Sequence, residues 1–122
     1  MTAVVNMGFI EKERDNGNIE YKLRFESMDD DKINKYATQM KFRLIEGNGE
    51  AIYIIGVQDN GQIVGLPCSE IDFSINIIHK IRREIDADVK QIRQLKVNSE
   101  NKVLIITLKA MFNIEDIFVL TT

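Results

Sequence analysis

Hydrophobic and polar residues alternate from Asn18 to Glu26, with Ile19, Tyr21, Leu23 and Phe25 to one side and Glu20, Lys22, Arg24 and Glu26 to the other. A period of two predicts a half-buried strand with one solvated face. The spacing then lengthens. Ile33, Tyr36, Ala37, Met40 and Leu44 recur at helical intervals and form one apolar arc. Ser27 opens this helix, Ser27 with Asp30 resembling a capping box, and Gly47 is the expected left-handed residue that ends it. Lys32, Lys35, Gln39 and Arg43 fall together on a flank that reads as a solvated stripe, while Phe42 points away from the core arc. An outward aromatic is either covered by a second layer or presented to a partner.

The segment AIYIIGVQ is apolar on both faces, as an interior strand would be. Asn60-Gly61 follows it and predicts a type I′ turn into the return strand QIVGL. That register sets Val57 opposite Val64 and Gly56 opposite Gly65. Two facing glycines leave a bare notch where another backbone or a ligand comes close. The first helix, through Ala37 or Met40, is the expected occupant.

Pro67 stops the return strand because it has no N–H to donate. A second helix is expected from Ser69 to Asp86, with Ser69 as its cap and Ile71, Ile75, Ile78, Ile81 and Ile85 as its core face. Arg82 lies within that face and must snorkel or pair. His79, at its edge, reads as structural. VKQIRQLKVN is a strand with a bulge expected near Ile92, and Ser99-Glu100-Asn101 turns it into the β-branched strand KVLIITLKA.

These elements give an α+β fold: two helices packed on a mixed or antiparallel sheet of about five strands, in the order β-α-β-β-α-β-β. Residues 18–110 form the single domain. Residues 1–17 are an N-terminal extension with a short strand at Val4-Val5, and residues 111–122 are a last strand or the start of a further domain.

Composition narrows the chemistry. The 122 residues carry a net charge of −3, which gives no global pull toward nucleic acid or anionic membrane. No apolar run is long enough for a membrane span. One cysteine excludes an internal disulfide, so a reducing, cytoplasmic setting fits. Three successive aspartates, Asp29 to Asp31, splay around a helix start and suit its dipole better than a metal. One cysteine and one histidine give no sign of a catalytic pair, and catalytic, cofactor and metal sites are expected to be absent. Charge is uneven, however. Residues 79–102 carry seven basic side chains against four acidic. Arg83, Lys90, Arg93 and Lys96 are the candidate RNA contacts in this segment, although it lacks aromatic interleaving for base stacking. The candidate protein-interaction surface is Lys35, Lys41, Phe42 and Arg43, an apolar centre with a basic rim.

NIEYKLRF and TQMKFRLIEGNGEAIYIIGVQDNGQIVGL together resemble the N-terminal domain of the GTP-binding-protein-one and -two family, large translational GTPases related to elongation factor one-alpha. The pieces that carry the resemblance are Asn18–Leu23, Thr38–Leu44, Glu46–Ala51 and Ile55–Gly61, within a likeness covering residues 18 to 109. In that family the domain leads into a GTPase domain with a phosphate loop. This sequence has no G-x-V-D-x-G-K-S/T loop, no D-x-x-G and no N-K-x-D. The resemblance therefore implies a non-catalytic N-terminal accessory domain. GTP, magnesium and contacts with ribosome or tRNA are implied only for a parent protein, and that parent's own GTPase domain is the implied partner. The hairpin IGVQDNGQIVG also resembles the AlbA-like domains of the Schlafen group. That leaves a stand-alone nucleic-acid-binding module, or a protein-interaction domain, as alternatives.

Overall fold

A computed structural model of the chain describes residues 8–115. The expected strand at Val4-Val5 and most of the C-terminal segment lie outside those residues. Seven elements follow in order: β1 (Ile19–Lys22), α1 (Asp30–Glu46), β2 (Glu50–Ile55), β3 (Leu66–Pro67), α2 (Cys68–Glu84), β4 (Ala87–Lys96) and β5 (Asn101–Ala110). The sheet is mixed. β1 runs parallel to β2, and β2 runs antiparallel to β5. β5 also pairs antiparallel with β4 along its length and with the two residues of β3. This is the α+β fold of two helices on a five-stranded sheet that the patterning predicts.

Both helices cover one face. Ala51, Tyr53 and Ile55 of β2 and Leu104, Ile106 and Leu108 of β5 meet Ile33, Met40 and Leu44 of α1 and Ile77, Ile78 and Ile81 of α2 in one buried cluster. Each such side chain contributes roughly 1.5–3 kcal/mol on burial, so this layer dominates stability. Every residue of the expected α1 arc is buried here. A smaller cluster comprises Tyr21, Val57, Ile63, Val97 and Val103.

Several local details differ from expectation. α1 begins later than Ser27: the Asp29 carboxylate caps it by accepting the Lys32 N–H, and Ser27 Oγ donates to Asp29. The left-handed residue after α1 is Asn48 (φ 53), because Gly47 keeps φ −94 and the chain turns one residue further on. α2 starts at Cys68 after Pro67, with no side-chain cap. The β4 bulge falls at Lys90, between Val89 and Gln91.

The expected strand at Asn18–Glu26 keeps only four residues, and its first two positions reverse the expected burial, while Tyr21 and Phe25 are buried as expected. Ile19 is 40% exposed while Glu20 is buried. The parallel pairing of β1 with β2 explains this, since Glu20 is aligned with Tyr53 and shares its helix-covered face, whereas Ile19 is aligned with Ile52. The polar side of the pattern was turned under α1 because Glu20 has a cation waiting there.

Candidate functional site

That cation is Arg43. Its guanidinium, expected on a solvated stripe, is only 3% exposed. Nε donates to Glu20 Oε1 at 3.0 Å, Nη1 donates to the carbonyls of Asn16 and Gly17, and Nη2 donates to the carbonyl of Arg14. Glu13 lies 3.8 Å from Nη2. A buried guanidinium needs its five N–H groups satisfied, and the loop before β1 supplies carbonyls that a helix surface lacks. Arg43 is thereby removed from the candidate interaction surface, and its place in the sequence stripe was misleading. Burial pushes the Glu13 carboxyl up to about 7, helped by the neighbouring Glu20 and Asp59. Burial likewise pushes the Tyr53 phenol well above its usual range.

The other three members of that surface are on the outside. Lys35 and Lys41 are exposed, and Phe42 is 45% exposed. Lys41 Nζ sits 5.7 Å from the Phe112 ring centroid, and the Arg43 guanidinium carbon lies 5.7 Å from that of Phe42. Phe42 forms the lip of an open groove of about 420 Å³ lined also by Glu13, Asp15, Glu20, Thr38, Gln39 and Arg43. Three of its seven lining residues are acidic and one is the buried Arg43, so the local chemistry is an aromatic beside carboxylates, with Lys35 and Lys41 on the same helix. Sequence reading missed Glu13 and Glu20 here. The one available signal was Arg43 itself, immediately before the buried Leu44 and one turn past the buried Met40.

The candidate RNA contacts do not converge. Arg83 is exposed in the last turn of α2. Lys90 Nζ reaches Glu50 at 2.7 Å and is already paired. On β4, Arg93 is aligned with Ile105, and Lys96 with Lys102, an odd number of residues apart, so the two point to opposite faces of the sheet. His79 accepts a hydrogen bond from Arg82 Nε at 3.2 Å, and burial with the Arg82 and Arg83 charges lowers its pKa. It is a neutral acceptor that gives the half-buried Arg82 a partner.

The glycine notch exists in altered form. The turn is a type I turn with a left-handed Gly61 (φ 93): Gly61 N–H bonds to Gln58 O at 2.8 Å, and Gln58 N–H to Gln62 O at 3.0 Å. Val57 consequently faces Ile63 instead of Val64. Gly56 O accepts from both Val64 N–H and Gly65 N–H, which keeps the two glycines together. A Cβ on Gly56 would lie 3.0 Å from Gly65 Cα, and one on Gly65 would lie 2.9 Å from Asn101 Cβ and 3.1 Å from Val97. The expected occupant, α1, is not there. The glycines are filled by each other's backbone and by the β4–β5 turn, a close backbone approach with no ligand space.

Among the described residues no group of three or more His, Cys, Asp or Glu side chains is placed to hold a metal ion, and no helix is long and apolar enough to cross a membrane. No protein-family model matches the chain. It is 39% identical over 98 residues to GTP-binding protein 2 of Mus musculus, and 38% identical over 96 residues to GTP-binding protein 2 of Homo sapiens. Each match takes in about 80% of this chain but 16% of the relative. An uncharacterised protein, R625, of Acanthamoeba polyphaga mimivirus is 35% identical over 101 residues, which are 54% of its length. The chain spans about a sixth of the GTP-binding protein 2 relatives and about half of the viral one. It therefore carries a domain homologous to one segment of GTP-binding protein 2.

Proposed function

We propose that this α+β unit is a non-catalytic accessory domain of an elongation factor one-alpha-like translational GTP-binding protein. The observation that carries the reading is the size of the match: one folded unit of this chain corresponds to a small fraction of a protein named for GTP binding. GTP and magnesium would be held by the parent's GTPase domain, and ribosome or tRNA contact would come through the parent in the cytoplasm. The helix starts support this division of labour. Asp29, Asp30 and Asp31 occupy the start of α1, and Glu70 the first turn of α2, where a phosphate would otherwise be drawn to the backbone N–H groups. Lys35, Lys41 and Phe42 form the docking face toward the GTPase domain.

A domain swap tests this. The homologous segment of mouse GTP-binding protein 2 is deleted, or replaced by this chain, and GTP hydrolysis and thermal midpoint are measured. The deletion should lose stability or turnover and the replacement should restore it. A deletion with unchanged turnover and midpoint would contradict the accessory role.

A second reading is favoured by the viral relative, in which the shared domain makes up more than half of the protein. That proportion fits a stand-alone AlbA-like nucleic-acid-binding or protein-interaction module better than it fits a small appendage of a large GTPase. Phosphate contacts release counterions, so nucleic-acid binding through Arg83, Arg93 and Lys96 would weaken steeply with salt. Sub-micromolar, salt-sensitive binding of tRNA, lost in Arg83→Glu with Arg93→Glu, would favour this reading. Its absence at physiological salt would favour the first.

A further inference from the structure

The groove beside Phe42 is assembled from three parts of the chain. Glu13 and Asp15 come from the segment before β1, Glu20 from β1, and Gln39, Phe42 and Arg43 from α1. Its walls are fixed from behind. The carbonyls of Arg14, Asn16 and Gly17 sit on the Arg43 guanidinium at 2.8–2.9 Å, which holds the segment carrying Asp15 against α1. Glu13 is held by its own N–H on the Asp59 carbonyl at 2.9 Å, and its carboxylate accepts the Tyr21 N–H.

Positive charge is in deficit here. The Glu20 and Glu13 side chains are only 10% and 14% exposed, and they approach Arg43 to 3.0 and 3.8 Å. Among the described residues Arg43 is the one cation that lines the groove, and three of its hydrogen bonds go to backbone carbonyls. Glu20 Oε1 accepts from Arg43 Nε, but no hydrogen bond from the described residues reaches Glu20 Oε2. Asp15 is exposed and has neither a hydrogen bond nor an ion pair among them. Three carboxylates thus face one guanidinium. Burial, with Glu20 and Asp59 close by, raises the Glu13 carboxyl against the pull of the Tyr21 N–H, and a second cation beside it would offset that cost.

We propose that this groove seats a lysine or arginine side chain of a partner polypeptide: the cationic head meets Glu13, Asp15 and Glu20, and the aliphatic stem lies along Phe42.

Charge complementarity selects that occupant. A nucleic-acid backbone is repelled by the carboxylates. A bare metal ion fits poorly, because among the described residues no three His, Cys, Asp or Glu side chains are placed to share one. A long basic side chain spreads its donors over separated carboxylates, and its methylenes cover a ring that is 45% exposed. Charge-assisted hydrogen bonds to carboxylates this shielded from water are stronger than those on an open surface. On the reading that Phe42 docks a GTPase domain, that domain supplies the basic residue.

Fluorescence anisotropy with the full chain tests the groove. The probe is a fluorescein-labelled peptide of alternating glycine and arginine, and its control carries citrulline, which keeps the shape without the charge. The arginine peptide should bind saturably, weaken as salt is added, and bind at least roughly tenfold more tightly than the citrulline peptide. Its amide NMR shifts on the chain should cluster at Glu13, Asp15, Thr38 and Gln39. Asp15→Asn combined with Phe42→Ala, two exposed positions, should weaken it at least roughly tenfold. Equal affinity for the two peptides would overturn the proposal. So would shifts centred elsewhere, or binding that the double substitution leaves unchanged. Should that variant fold poorly, the shift map of the natural chain decides instead. The peptide measurements use this chain alone, so their failure leaves the accessory role standing. Arginine-specific binding beside normal turnover of the doubly substituted mouse chimera would keep the groove and remove the GTPase domain as its partner.

Discussion

Arg43 Nε lies 3.0 Å from Glu20 Oε1, joining a helix and an edge strand through an ion pair whose two side chains are 4% and 10% exposed. Breaking one side of such a pair leaves the other charge buried and alone, which costs about 3–5 kcal/mol. Arg43→Ala should lower urea stability by that amount and also release the carbonyls of Arg14, Asn16 and Gly17. Equilibrium urea unfolding checks the first effect. A change within about 0.5 kcal/mol, the range of ordinary surface substitutions, would show that the pair is not a structural element.

Phe42, the preceding residue, should behave in the opposite way. Its ring is 45% exposed and packs against no core cluster. Phe42→Ala should therefore change stability by less than about 1 kcal/mol. The same substitution in the mouse GTP-binding protein 2 chimera should impair turnover if this face docks the GTPase domain. A large loss of stability in the isolated chain would make Phe42 a core residue and remove the docking face.

Gly56→Val should destabilise by roughly 1–3 kcal/mol, because overpacking meets backbone that cannot move aside. Gly56 has φ 103, a conformation a β-branched residue strongly resists, and its Cβ would press on Gly65 Cα. Gly8→Ala is the matched control, since a Cβ there meets nothing within 4 Å. Its melting midpoint should be that of the natural chain. Equal midpoints for Gly56→Val and Gly8→Ala would mean that the glycine contact is loose.

The α1 face was legible because its evidence is periodic and redundant, whereas the α2 face was read in part. Ile71, Ile78 and Ile81 are buried as expected, but Ile75 and Ile85 are half-buried and the fully buried Ile77 was not foreseen. All five residues of the α1 arc are buried, so an error at any one position would not have moved the face. β5 was legible for a similar reason, as a long β-branched run. Single-residue geometry was less legible. The Asn60-Gly61 pair signals a turn but not its type, and the choice between two and three loop residues depends on strand twist and on residues 8–13 pairing alongside. Glu20 and Arg43 were the larger miss. A charge every second strand residue, or every fourth helix residue, reads as solvated unless its partner is known. Here the partner came from another element and from the stretch Arg14–Gly17, whose carbonyls no pattern predicts.

The central claim is that this domain accompanies a GTP-binding protein without holding the nucleotide itself. Isothermal titration of the chain with a non-hydrolysable GTP analogue and magnesium tests it most directly. The carboxylates at the α1 and α2 starts oppose a triphosphate, and the sequence contains no phosphate-loop motif whose lysine would meet its β and γ oxygens. The titration should be flat up to the millimolar range, on the order of −4 kcal/mol of binding free energy or weaker. A saturable, micromolar isotherm would place a nucleotide site within this chain and contradict the account.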